Sequence, residues 1–479
     1  MATLNTTEGP LLTRSFQLAL PAVLQALLVN GYAFNDFFFV GLLGKEDATA
    51  ALSACFALVI ILNTLVSIFP TGALPLMAQA FGANRTERVA EILRGALIAS
   101  IVWSTALGLL GLWQMDAIIS AVNVTQGVGS YILDYMSILC GGMAAFALMR
   151  AVTGAYYACG NTRLPLALEF ISLIVNTILN AVLVLGIGPV ESMGIMGAAI
   201  ATVCSRALPA IMGLVFILRG ALDISIAAPL QQWKPDTQDI MRMGRIGFYE
   251  SLSGMLYGIV YLVLNRMAGE ISSAAQGGLG AGLRGIEWIG FAFGDGFAKA
   301  STTIVGQNIG AGKRKRALQG AWLNAGLSAA FCQFVGISFL LFPEQLCSLV
   351  TDDPDTLTFA ARYIELIGWV MWAVGLEMSM YGALIGAGWT QMCIWISGVN
   401  NILRIPIAAA AVFGLSHMVN GTLWAAFGVG QPPGTFEGSF DGLAIAIGVT
   451  AIIKAVLYIV FFATRKKWLS EEVALQHIH

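Results

Sequence analysis

Charge is the first thing this sequence lacks. Only 11% of its 479 residues are charged, against roughly 25% in an ordinary soluble domain, so a water-soluble globular chain is excluded. Histidine is nearly absent: His417, His477 and His479 are all there are, which argues against histidine-based metal clusters and Ser-His-Asp catalysis. The seven cysteines, Cys55, Cys140, Cys159, Cys204, Cys332, Cys347 and Cys393, show no C-x-x-C spacing. They read as small apolar packers, not as zinc ligands or a disulfide framework. A net charge of −2 leaves no basic surface for nucleic acid. The start carries Glu8 and Pro10 and no small-residue cleavage pattern, so the first apolar run reads as a retained span, not a signal peptide.

What is present is apolar: 57% of the residues are hydrophobic. A bilayer core takes roughly 20 such residues per helix. Runs punctuated by Gly, Pro and charge predict an all-α membrane protein of twelve spans, at 15–42, 50–80, 90–113, 128–156, 164–187, 194–218, 244–267, 279–306, 317–341, 357–386, 391–414 and 440–463. Loops on one side hold Arg85, Arg88, Arg163, Arg219, Lys313, Arg314, Lys315, Arg316, Arg465, Lys466 and Lys467, while the other keeps Lys45 and Arg266. Lys and Arg are retained on the cytoplasmic side, so both termini are expected in the cytoplasm. The expected organisation is a lobe over 1–218, a cytoplasmic linker over 219–243 containing Pro229 and Pro235, a second lobe over 244–463 and a tail over 464–479.

The chain also repeats itself. Gln79, Gly82 and Ala83 recur 228 positions later as Gln307, Gly310 and Ala311, each triplet followed by basic residues. At that offset Gly154, Ala155, Gly160 and Thr162 recur as Gly382, Ala383, Gly388 and Thr390, and with a three-residue shift Ser172 and Asn176 recur as Ser397 and Asn401. Six spans per repeat return the chain to its starting side, so the two lobes are parallel, related by an axis along the membrane normal, with a cleft between them.

These residues carry a family resemblance. Met77-Ala78-Gln79-Ala80-Phe81-Gly82-Ala83 and Val305-Gly306-Gln307-Asn308-Ile309-Gly310-Ala311-Gly312 resemble the paired signatures of multidrug and toxic compound extrusion (MATE) transporters, and Gly160-Asn161-Thr162 and Gly386-Ala387-Gly388-Trp389-Thr390 fit them. The resemblance implies two six-helix lobes that expose a central cavity to each side in turn, driven by inward flow of protons or sodium. Pro21, with Asp36 fifteen residues on, resembles the DinF-like prokaryotic branch, which implicates the first helix in coupling. That branch usually has Asp where this chain has Asn180, which removes one negative charge from the site and weakens the case for sodium. Glu250 and Glu377 lie on the helices where the other bacterial branch keeps its acids, about one turn from the aligned positions.

Acids inside spans are costly and are usually paired or functional. Pairs at i,i+3 or i,i+4 are expected for Glu91 with Arg94, Glu287 with Arg284, Asp295 with Lys299 and Glu365 with Arg362. Asp36 and Glu377 have no such partner, nor does Glu250. Asp36 is expected to bond Tyr32 and to share a coupling site with Asn176, Asn180 and Thr202, with Pro21 as a hinge. Glu377 is expected to meet substrate charge or to pair with Arg404; Arg206 and Lys454 are further cations without a nearby acid on their own helices.

The expected function is secondary active export of drugs or metabolites, by H+ antiport or alternatively Na+ antiport, without a cofactor or bound metal. The substrate is expected to be an organic cation or metabolite, and the protein a monomer, surrounded by lipid, in a prokaryotic cytoplasmic membrane. A flippase for lipid-linked precursors is the alternative within this architecture. An intramembrane protease fails because Gly294-Asp295 has no second Asp-bearing motif, and Gly280, Gly282 and Gly285 follow no strand, so they are no dinucleotide fingerprint.

Overall fold

A computed structural model describes residues 3–122, 126–188, 190–222, 233, 236–413 and 439–464. Residues 223–232, 234 and 235 of the expected linker, with Pro229, Lys234 and Pro235, lie outside the described residues, as do His417, Arg465, Lys466, Lys467, His477, His479 and the tail beyond 464. Among the described residues the secondary structure is helical throughout, with no strand.

The first half comprises α1 (Leu11–Gly41), α2 (Glu46–Val66), α3 (Ile68–Gly82), α4 (Thr86–Trp113), α5 (Met115–Val122), α6 (Gln126–Gly141), α7 (Met143–Ala158), α8 (Arg163–Leu183) and α9 (Ile195–Leu218). The second comprises α10 (Thr237–Ile271), α11 (Ser273–Gly280), a π-helical segment (Ala281–Glu287), α12 (Trp288–Gly310), α13 (Arg314–Leu341), α14 (Pro343–Cys347), α15 (Pro354–Gly368), α16 (Met371–Gly386), α17 (Thr390–Cys393), a second π segment (Ile394–Gly398), α18 (Val399–Phe413) and α19 (Phe440–Thr464).

Among the described residues nine helical stretches, one of them running from α17 through the second π segment into α18, are long and apolar enough to cross a membrane, and the bent pairs α6–α7 (48°) and α15–α16 (65°) bring the number to eleven if each counts as one span. The stretch 273–310 falls short of that apolarity because it carries Arg284, Glu287, Asp295 and Lys299. It faces a cavity with some of those charges, which a lipid-facing helix could not do. The chain is thus a multi-pass, all-α membrane protein of two lobes.

The sequence repeat persists in the backbone. Gly160 and Gly388, at the repeat offset, end α7 and α16 with φ of 74° and 77°. Asn84 and Gly312 follow the Gln-Gly-Ala triplets with φ of 58° and 71°, a left-handed conformation that Gly and Asn tolerate best. Gln79 on α3 donates to the Gly386 carbonyl at the end of α16 (3.0 Å), and its counterpart Gln307 on α12 donates to the Ala158 carbonyl at the end of α7 (2.8 Å). A Cβ at Gly82 would overlap the carbonyl of Gln307, and one at Gly310 the carbonyl of Gln79. Two helices therefore cross at glycines and close the lobes together at the basic end.

The N-terminal segment reinforces this seam. Thr6 donates through its N–H and hydroxyl to Gln307 Oε1 (2.9 and 2.8 Å), Leu4 N–H reaches the Cys159 carbonyl (3.1 Å), and Arg316 and Lys313 donate to the carbonyls of Thr6 and Thr7 (3.1 and 3.0 Å). Nearby, Arg88 bridges Asp239 (2.7 Å) and Glu91 (2.9 Å). The pairing expected between Glu91 and Arg94 is thus corrected: Arg88, on the preceding turn and already held by Asp239, takes the carboxylate. Arg362 binds Glu365 as expected (2.9 Å) and also Asp441 (2.8 Å).

Candidate functional site

In the first lobe α1, α8 and α9 converge on one carboxylate. Asp36 is 5% exposed, and Asn176 and Asn180, one turn apart on α8, are fully buried. Asn180 Nδ2 donates to Asp36 Oδ1 and Thr202 Oγ1 to Asp36 Oδ2, both at 2.8 Å, with Asn176 Nδ2 at 3.5 Å from Oδ1. Asn35 steadies the cluster by donating to Asn176 Oδ1 (2.6 Å). Every donor is neutral, and no cation lies within ion-pair distance of Asp36 among the described residues. Asn180 Oδ1 is buried without a hydrogen bond, so one acceptor in the cluster is idle. Tyr135 on α6, which sequence reasoning missed, also lies against Asp36.

Tyr32 is a correction. Its hydroxyl makes no hydrogen bond, to Asp36 or to any other described residue. Its ring instead carries the Arg206 guanidinium, 3.9 Å from the centroid, a favourable placement over a π face. Arg206 in turn pairs with Glu169 of α8, an acid the sequence reading passed over, and Gln25 donates to the same carboxylate (3.4 Å). The phenol is thereby committed to a neighbouring charge cluster.

Pro21 sits within a helix that stays continuous from Leu11 to Gly41. Its missing N–H leaves the Gln17 carbonyl without an intrahelical donor, and Thr162 of the Gly-Asn-Thr motif supplies one (3.3 Å). Pro209 on α9 is treated likewise: the Ser205 carbonyl that it orphans accepts from Ser172.

The second lobe holds a cavity of ≈330 Å3, lined by seven charged side chains, Glu250, Glu287, Asp295, Lys299, Glu377, Arg404 and Lys454. The expected pair of Glu377 with Arg404 does not form. Lys454 on α19 lies 2.7 Å from Glu377, whose Oε1 also accepts from Ser397 (3.3 Å). Arg404 is held by neutral groups, donating to Thr450 Oγ1 (2.7 Å) and Tyr261 Oη (3.0 Å). Asp295 pairs with Lys299 as expected (2.8 Å). Glu287 does not pair with Arg284, because the π segment widens the turn between them; its carboxylate is bound by the Tyr363 hydroxyl (2.7 Å). Glu250 has no hydrogen bond or ion pair among the described residues, and Arg284 is not in the cavity wall.

The structure therefore gathers Asp36, Asn176, Asn180 and Thr202 in one lobe and sets Glu250, Glu287, Asp295, Glu377 and Arg404 around a separate cavity in the other. The tyrosines of that cavity carried no sequence signal, since phenols within apolar runs look like packing. Among the described residues no group of three or more His, Cys, Asp or Glu gathers as for a metal.

A two-lobed bundle with buried, unneutralised charge in both halves defines a multi-pass membrane transporter. The MatE family model matches residues 21–182 and 251–410, and the chain belongs to this family, the multidrug and toxic compound extrusion transporters. It is similar to an FAD transporter of Shewanella oneidensis, 23% identical over 409 residues covering 85% of this chain and 89% of that protein. It is also similar to a probable multidrug resistance protein NorM of Thermotoga maritima, 24% identical over 403 residues covering 83% and 84%. In fold it resembles a MATE transporter of the MOP superfamily solved in an outward-facing conformation, with a TM-score of 0.86, 16% identity, and 98% and 99% of the two chains covered. Its class of activity is thus the efflux of drugs or metabolites, not enzymatic turnover.

Proposed function

We propose that the protein is an H+-coupled antiporter exporting small organic molecules, with Asp36 as the coupling carboxylate. The observation that carries this is the environment of Asp36: one acid, three neutral donors and no cation in contact. A sodium site wants several oxygens and net negative charge, and this cluster offers a single carboxylate. A proton, in contrast, needs only an acid and an acceptor for the new O–H, and the idle Asn180 Oδ1 supplies one after rotation of its amide.

Protonation would remove the charge of Asp36 and turn one of its two oxygens from acceptor to donor, weakening the three hydrogen bonds it accepts and loosening the grip of α8 and α9 on α1. The helix could then rearrange at Pro21, where the Gln17 carbonyl accepts from Thr162 in place of the missing N–H, and reduce the space available to substrate in the first lobe. The basic loops at the closed end support a cytoplasmic position for that end and for the termini, in a prokaryotic cytoplasmic membrane, with the protein acting as a monomer.

The test is ethidium efflux from proteoliposomes at fixed membrane potential. An imposed pH gradient is expected to drive it in wild type, and Asp36→Asn to reduce it to the level of the gradient-free control while the protein stays folded. Efflux driven by a sodium gradient alone would overturn the ion, and wild-type activity in Asp36→Asn would overturn the residue.

A further inference from the structure

Of the charges around the second-lobe cavity, two pairs are already neutralised by contact, Glu377 with Lys454 and Asp295 with Lys299. Arg404, Glu287 and Glu250 are not. Arg404 is 2% exposed and carries a permanent positive charge, yet only Thr450 and Tyr261 bond it, and its Nη2 has no partner among the described residues. Glu287 is 1% exposed and accepts only from Tyr363. Burying opposite charges without joining them costs several kcal/mol per ion, a cost removed by a ligand that brings the complementary groups. Arg404, Glu287 and Tyr261 all line the cavity, and the Tyr261 hydroxyl accepts from the Arg404 guanidinium (3.0 Å). Tyr257 and Tyr261 form an aromatic pair with ring centroids 4.5 Å apart, and both rings line the cavity.

We propose that this cavity recognises an aromatic zwitterion: its carboxylate or phosphate on Arg404, its protonated amine on Glu287, and its ring against Tyr257 and Tyr261. A purely cationic ligand would leave the guanidinium unmatched, and a purely anionic one would leave Glu287 unmatched. The planar guanidinium, with donors still free, suits the two oxygens of an acid group. Glu250 lines the same cavity and remains available to the ligand's cationic end.

The proposal rests on the exporter reading, but its test needs no transport. Equilibrium binding to the purified full-length protein in detergent compares tryptophan, tryptamine and indole-3-propionate, which share a ring and differ in charge. Wild type is expected to bind tryptophan about tenfold more tightly than either analogue, as each charged contact is worth at least about 1.4 kcal/mol. Arg404→Gln should bring tryptophan to the level of tryptamine, leaving tryptamine unchanged as proof of an intact site. Glu287→Gln should bring it to the level of indole-3-propionate. Should Arg404→Gln fail to fold, Arg404→Lys keeps the charge and must keep a reduced preference for tryptophan over tryptamine. The assignment is overturned if wild type binds no member of the series, or binds an analogue as tightly as tryptophan, or if a folded Gln variant keeps the full preference. Any of those results leaves the proton dependence of efflux and the role of Asp36 standing, and loss of the latter would leave the binding series intact.

Discussion

Asp36 and Glu377 are both buried acids without a basic partner on their own helix, yet the structure treats them differently. Asp36 is wrapped in amide and hydroxyl donors, which fix its position while leaving its charge free to change. Glu377 contacts an ammonium group at 2.7 Å, so its charge is tied to that of Lys454. Removing one member of a buried pair strands the other, at a cost of about 3–5 kcal/mol. Glu377→Gln and Lys454→Met are each expected to lower the thermal unfolding temperature clearly, and the double replacement Glu377→Met with Lys454→Met to recover most of the loss. Additive losses in the double variant would show that the two act independently. The Asp36 cluster was legible in the sequence because Asn176 and Asn180 share a helix face by spacing. The partner of Glu377 was not, because it lies 77 residues away and Arg404 was an equally good candidate by depth. Only packing could decide between them.

At the level of elements, most spans declared themselves by apolarity, and their ends by glycine and basic residues. The π segments did not: nothing in Ala281–Glu287 signals a widened turn, and that turn separates Arg284 from Glu287 and sets Glu287 in the cavity wall. The prolines were legible as defects in hydrogen bonding, while their remedies were not, since Thr162 and Ser172 reach the orphaned carbonyls from other helices. Pro21→Ala restores a donor for Gln17 and removes the ring clash within α1. It is expected to raise thermal stability while slowing gradient-driven efflux, measured on the same preparation; unimpaired efflux would remove the bend from the mechanism. A hydroxyl-free Thr162→Val should lower stability by about 1 kcal/mol, because it takes away the donor that replaces the missing N–H of Pro21.

For the whole molecule, composition and the 228-residue repeat already required two parallel six-helix halves. What they could not supply is how tightly the halves meet, because Gly82 and Gly310 read equally well as helix ends. Their role is steric: each carbonyl of the opposite Gln occupies the space a side chain would need. Gly310→Val is therefore expected to prise the lobes apart at the basic end. Cys159, fully buried beside that seam, should then react faster with a maleimide in a background lacking the other six cysteines. Unchanged labelling would mean that the crossing tolerates the added bulk.

The reciprocity of that seam reaches beyond its strength. Gln79 meets the end of α16 as Gln307 meets the end of α7, and each glycine sits on the other helix's glutamine. Contacts in which residue i meets j while the equivalent of j meets the equivalent of i are those of an isologous interface, the kind made by two identical subunits about a two-fold axis. Such an interface specifies its own geometry whether its halves arrive on one polypeptide or on two. The segment joining the halves then contributes effective concentration and not shape.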